Sequence, residues 1–437
     1  LALLDIFKKK KPRSCVVGID GLPCTLLKRF CESGITPRMA ELVKAGHLRQ
    51  MTVTLPEISA VSWPSFMTGS NPGTHGIFGF TDLKSNTYDI VFPAFRDLKA
   101  PTFWDKLGEK GKRSIVINQP GTYPARDIPG VLISGFVAID LVKAVRPPSW
   151  IGRIKRLNYQ IDIDTQRSRK DHKFLFRELD RTLEGRRRAA FALWDEEDWD
   201  YFQVVITGTD RLQHYLWAAI EDEGHEFHTA AMNYYRAVDQ FVGEIHDRYL
   251  KMTGESGPGV NFFMMSDHGF CGIRQEVYLN AWLKEYGFLS YSFHDHKEVG
   301  DISDKTQAFA LDPGRIYIHR KGRYPRGSVS DDAAGEIIEK IVAGLGALEY
   351  NGEKVIQAVH RADEIYSGPE IGRAPDLIVT PVDGFDLKGS VAGEDIFRRT
   401  DLTGMHTWDD AFFWSSFETP DKLDITQLAN IVTRALV

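Results

Sequence analysis

The stretch Cys15-Val16-Val17-Gly18-Ile19-Asp20-Gly21 decides the fold. Five apolar or small residues run on without a polar break and end on an acid and a glycine. A strand covered on both faces needs such a run, because no face is left for water. The run therefore predicts a buried parallel strand with a carboxylate at its C-terminal end. Similar runs occur at 114–118, 131–134, 201–207, 261–266 and 377–380. Helical spacing fills the gaps at 36–45, 171–194 and 232–250, the last placing Tyr235, Val238, Phe241, Val242 and Ile245 on one face. Strands alternating with helices predict a three-layer α/β/α sandwich around a mainly parallel sheet. Ligands of such sheets bind beyond the carboxyl ends of the strands.

The stretches 140–197 and 286–330 are polar and irregular and are expected to be cap insertions. Residues 1–14 are expected to form a basic arm, and 15–437 a single catalytic domain. The 437 residues are 43% hydrophobic and 26% charged, so burying a core needs neither a metal nor a disulfide. A formal charge of −6 argues against a dedicated nucleic-acid binder. Cys15, Cys24, Cys31 and Cys271 form no C-x-x-C pair, which favours a reducing, cytoplasmic setting. No stretch reaches the roughly 18 uncharged apolar residues of a membrane span. The apolar residues before Lys8, Lys9, Lys10 and Lys11 leave open an anchor upstream of Leu1, although a solvated basic arm is the favoured reading.

Four clusters carry the chemistry: Gly18-Ile19-Asp20-Gly21, Thr209-Asp210-Arg211-Leu212-Gln213-His214, Ser266-Asp267-His268-Gly269 and Gly404-Met405-His406-Thr407. Asp210 and His214 stand at i, i+4 and share a helix face. With His406 they make one acid and two imidazoles, a zinc complement with an open position. Asp20, Asp267 and His268 make a second set, suited to Zn²⁺ or Mn²⁺. Two such sets suggest two divalent cations, which in two-metal sites lie roughly 3.5–4 Å apart and clamp an in-line displacement at phosphorus. Each cluster alone has an ordinary explanation, a turn for Asp-Gly or chance for Asp-x-x-x-His. Their joint occurrence at strand ends carries the reading.

Ser59 opens the helix predicted to lead into Phe66-Met67-Thr68-Gly69. A serine there lies beside free backbone N–H groups, including that of Ala60, and a metal would help its hydroxyl ionise. Its simpler role is to cap the helix.

The order Asp20, Ser59, Asp210/His214, Asp267/His268, His406 resembles the alkaline phosphatase superfamily, and within it the type I phosphodiesterase/nucleotide pyrophosphatase branch. The resemblance runs from about residue 16 to 408. Its most specific parts are Thr68-Gly69-x-x-Pro72-x-x-His75-Gly76 and Ser266-Asp267-His268-Gly269. It implies Ser59 as nucleophile, with Asp20, Asp267 and His268 around the metal that activates it. It implies Asp210, His214 and His406 around the metal that activates water. Ser59 also counts as a metal ligand in this scheme. Ser62 stands where nucleotide pyrophosphatases carry asparagine, leaving its hydroxyl to donate to a phosphoryl oxygen. His75 is read as structural, and Asn118 and Arg274 as substrate contacts or loop hydrogen-bonders.

Ser62-Trp63-Pro64-Ser65-Phe66 lacks the arginine of a sulfatase run. No arginine lies between Arg49 and Arg96, which favours a diester or pyrophosphate over a dianionic monoester. The expected function is a two-metal phosphohydrolase acting through a phosphoryl-serine on a small phosphoester, nucleotides among the candidates. The alternatives are a monoesterase, phosphomutase or phosphonate hydrolase of the same superfamily, or a binding protein that has lost catalysis.

Overall fold

The computed structural model describes residues 11–254, 260–293, 295 and 297–437. The first ten residues of the expected basic arm lie outside these. Nine strands form the central sheet in the order Leu423–Asp424, His47–Thr52, Ala411–Ser415, Phe262–Met265, Ser14–Ile19, Tyr201–Ile206, Ser114–Gln119, Gly130–Ser134 and Val145–Arg146. The five from Phe262–Met265 to Gly130–Ser134 are mutually parallel. Ala411–Ser415 and Val145–Arg146 run against their neighbours.

Alternation along each strand feeds two cores. Cys15, Val17 and Ile19 pack with Val204 and Met264 under the helices Cys24–Glu32, His172–Glu196 and His228–Thr253. Val16, Val205, Phe263 and Met265 face the other way, under Ser59–Thr68, Phe103–Glu109 and Leu428–Thr433. The result is the three-layer α/β/α sandwich that the apolar runs predict. Within 140–197, the helix His172–Glu196 sends Leu175, Leu179, Leu183 and Leu193 into the main core.

The chain from 275 to 397 carries a lobe with a core of its own. A four-stranded antiparallel sheet, Ala308–Leu311, Arg315–Ile318, Leu377–Pro381 and Ile356–Arg361, packs with Trp282 and Ile341 of flanking helices. The stretch 286–330 lies in this lobe. The run at 377–380 is a strand here, in the smaller sheet. The lobe leaves the sandwich after Gly269–Gly272 and returns at Gly404–Thr407, and these two strands pair with Phe270 opposite His406.

Candidate metal centre

Three adjacent parallel strands deliver most of the site. Asp20 directly follows Ser14–Ile19, and Asp267 and His268 follow Phe262–Met265. Asp210 and His214 lie in the helix Gly208–Glu221, entered from Tyr201–Ile206. The lobe's return strand brings His406, and Ser59 is the first residue of Ser59–Thr68. Ends of neighbouring parallel strands lie side by side, so acids far apart in sequence meet here.

The side chains converge. Ser59 Oγ donates to Asp20 Oδ1 at 3.2 Å and lies 3.1 Å from His268 Nε2. His406 Nε2 is 3.1 Å from Asp210 Oδ1 and 3.0 Å from His214 Nε2. The His268 and His406 rings stack at 3.6 Å. Two groups have donor atoms all within 4.8 Å of one another: Asp20, Asp267, His268 and Asp210, His268, His406. His268, stacked on His406, belongs to both groups, whereas the sequence reading placed it in one. His214 joins from the edge, 3.3 Å from Asp210 Oδ1.

Each imidazole is oriented from behind. His214 Nδ1 is 3.0 Å from the Gly404 carbonyl, His268 Nδ1 3.0 Å from that of Gly269, and His406 Nδ1 2.9 Å from that of Glu57. A carbonyl only accepts, so each Nδ1 carries hydrogen, and a neutral imidazole held this way can offer its Nε2 lone pair inward to a cation. This is how metal-binding histidines are commonly held. The carboxylates are held likewise. Asp20 Oδ2 accepts from the Trp63 indole at 3.2 Å, and Asp267 Oδ1 from the Gly21 N–H at 3.0 Å.

Burial sets the electrostatics. Desolvation, then the charges of Asp267 and Asp210, push the Asp20 carboxyl well up. Burial carries Asp267 up to about 7. His406 is driven down to about 3 by burial and by neighbouring His268. Burial also opposes ionised Asp210, but His214, His406 and Arg211 outweigh it and hold this carboxyl low. Three buried carboxylates thus share one direct arginine contact, Arg211 to Asp210 at 3.0 Å. Asp267 Oδ2 is buried without a hydrogen bond among the described residues. Such crowding is costly unless positive charge fills it. The donor set therefore fits divalent cations, and nitrogen with carboxylate oxygen suits zinc or manganese.

A cavity of about 350 Å³ opens over Ser59 and Ala60. Val61 and Ser62 donate their N–H groups to the Ile58 carbonyl. The N–H groups of Ser59 and Ala60 precede that ladder, as first-turn groups do. Ser62 itself is buried, does not line the cavity, and its hydroxyl makes no hydrogen bond among the described residues. Asn118 is buried with its amide committed, donating to the Val205 carbonyl and accepting from Tyr159 Oη. Arg274 pairs with Glu353 in the lobe, away from the cavity. His75 is buried against Ser65 Oγ at 3.0 Å. Sequence reasoning did not single out the cavity-lining Phe80, Phe136 and Lys388, nor Arg211 and Met405, which stood beside Asp210 and His406 in quoted motifs. Arg211 makes a forked ion pair with Asp162 besides its contact with Asp210.

A mainly parallel sheet that gathers acids and imidazoles beyond its central strand ends, around a helix-opening serine, is the arrangement expected from the resemblance to the alkaline phosphatase superfamily. Within it, the chain belongs to the type I phosphodiesterase / nucleotide pyrophosphatase family, whose family model matches residues 14–409. Solved structures agree on the fold. Phosphonoacetate hydrolase from Sinorhizobium meliloti 1021, in complex with phosphonoformate, has a TM-score of 0.65 at 16% identity, over 98% of this chain and 97% of that one. Alkaline phosphatase PafA gives 0.61 at 14%, over 98% and 96%. Murine ectonucleotide pyrophosphatase / phosphodiesterase 5 gives 0.55 at 13%, over 97% and 95%. No curated protein matches the sequence. Among the described residues, no helix is long and apolar enough to cross a membrane.

Proposed function

We infer that the protein is a two-metal phosphohydrolase that cleaves a phosphodiester or pyrophosphate bond through a phosphoryl-serine at Ser59. The observation that carries this is the placement of Ser59 Oγ, 3.2 Å from Asp20 Oδ1 and 3.1 Å from His268 Nε2 at a helix N-terminus facing the cavity. Asp20, Asp267 and His268 would hold one cation, and Asp210, His214 and His406 the other. Bound there, the cations would lower the pKa of coordinated oxygens and neutralise charge on the phosphoryl group.

The chain's own residues supply the rest. Ser59 Oγ attacks phosphorus, forms an Oγ–P bond and displaces the leaving group. Its proton passes to the site's carboxylates or to solvent. The Ser59 and Ala60 N–H groups and the helix terminus point at the oxygens where negative charge grows. Water then replaces Ser59 at phosphorus and the free hydroxyl is restored. A diester or pyrophosphate fits better than a monoester because Arg211, the guanidinium lining the cavity, is already claimed by Asp162 and Asp210. A dianionic phosphoryl group gains most from an uncommitted arginine.

Ser59→Ala tests the assignment. The variant is expected to lose at least about 10³-fold in kcat on 4-nitrophenyl phosphodiesters while keeping its zinc or manganese content. Wild-type turnover in that variant would overturn the reading.

A further inference from the structure

The cavity beside Ser59 has a wall that hydrolysis alone does not require. Phe80 and Phe136 line it and stack on each other, with centroids 5.5 Å apart and planes 5° apart. The Arg211 guanidinium caps this pair, 4.3 Å from the Phe136 centroid. On the outer side Phe92 meets Phe80 edge-on at 5.2 Å and is 59% exposed. The row Phe136–Phe80–Phe92 therefore leads from the cavity to solvent. Ile90 and Ile139, 49% and 90% exposed, stand close in sequence to Phe92 and Phe136. Single exposed apolar residues are commonplace, but the row of three touching rings runs on from a cavity, which marks a binding surface. Behind the stacked pair, Ala60, Pro64, Ile77 and Leu98 line a second small hollow.

Several of the polar groups around this wall already have partners. Lys388 pairs with Asp386, Asp312 accepts from the Gly389 N–H, and Thr207 Oγ1 lies 3.4 Å from Asn118 Nδ2. A nucleobase is read by donors and acceptors aimed at its edge; these three groups already have partners, and although Glu57 and Thr81 also line the cavity, its aromatic wall offers only carbon.

We propose that one ester group of the substrate is apolar: an amphiphilic alkyl phosphodiester whose chain lies on Phe80 and Phe136 and leaves along Phe92. This rests on the phosphodiesterase reading of Ser59 and names the substrate class for that site. Each methylene buried on the wall adds binding that a methyl ester lacks.

The test is a series of 4-nitrophenyl alkyl phosphodiesters from methyl to octyl, kept below micelle formation, with zinc- and manganese-loaded protein. The expected kcat/KM rises up to about fourfold per methylene over the first carbons and levels once the chain passes Phe92. Phe80→Ala is expected to flatten the series, and Phe92→Ser, at an exposed position, to shorten the range over which it climbs. Equal kcat/KM along the series, or faster hydrolysis of 4-nitrophenyl thymidine 5′-phosphate than of the octyl ester, would overturn the proposal. Calorimetric binding of methyl octyl and dimethyl phosphate to Ser59→Ala protein separates the two readings. Tighter binding of the octyl compound without hydrolysis of any ester by wild type would uphold the apolar wall and defeat the hydrolase assignment; equal binding would defeat the wall.

Discussion

Trp63 donates its indole N–H to Asp20 Oδ2 at 3.2 Å while its ring lies across Gly18, where a Cβ would come within 2.6 Å of the ring edge. One side chain thus ties the helix that begins at Ser59 to the strand that ends at Asp20. It also leaves Asp20 Oδ1 free to meet Ser59 and His268.

Trp63→Phe keeps an aromatic ring but removes the donor. Metal affinity is expected to fall about 10–100-fold, the usual loss when a ligand's supporting hydrogen bond goes. Competition with a chelating dye measures it, and saturating metal should restore most activity. Unchanged affinity would show that Asp20 is held by other means.

Gly18→Ala places a methyl where the indole lies. Because Trp63 is fully buried, the overlap has little room to relax, and a cost of about 1–3 kcal/mol is expected. Urea unfolding of the chelated protein reads it. A variant as stable as wild type would mean that the strand and helix can separate without loss.

Asp267 gives the metal-free protein a pH signature. Its folded carboxyl titrates near 7, against about 3.9 for an unfolded aspartate. Between these values the folded chain keeps a proton that the unfolded chain releases, so stability falls as pH rises from about 4 to 7. Asp267→Asn removes this contribution and eases the upward push on Asp20, whose own slope has the same sign. Under chelation the variant is expected to match wild type near pH 4 and to become the more stable protein toward pH 7. His406, lowered to about 3, titrates with the opposite sign in both proteins and largely cancels in the difference. An advantage that shrinks with rising pH would contradict the assignment.

Chelation is expected to abolish phosphodiester hydrolysis and to lower Tm at pH 7.5, since Asp20, Asp210 and Asp267 lose their counter-charge. Zinc or manganese should restore both. Full activity after exhaustive chelation, with metal absent by elemental analysis, would exclude the two-metal reading.

The strands legible from sequence were those with unbroken apolar runs, such as Ser14–Ile19 and Tyr201–Ile206. His47–Thr52 was not among them, because its polar, half-buried residues match no buried-strand pattern. Leu377–Pro381 reads as a strand, but a short run does not say which sheet it joins. The acids and histidines were legible because each follows a strand or glycine turn. Their supports were not: the pairing of His406 with the Glu57 carbonyl, or of Trp63 with Asp20, links positions hundreds or tens of residues apart with no shared motif. Asn118 resembles a site residue at a strand end, yet Tyr159 and Val205 absorb its amide. Phe80 and Phe136 sit on loops, where no periodicity marks an inward side chain.

The lobe's two connections pair as one short ladder, with Phe270 opposite His406. Everything between Gly272 and Gly404 therefore begins and ends at the same spot on the sandwich. Evolution can lengthen, trim or exchange that excursion while the imidazoles below keep their places, so new selectivity can arise without rebuilding the reactive floor.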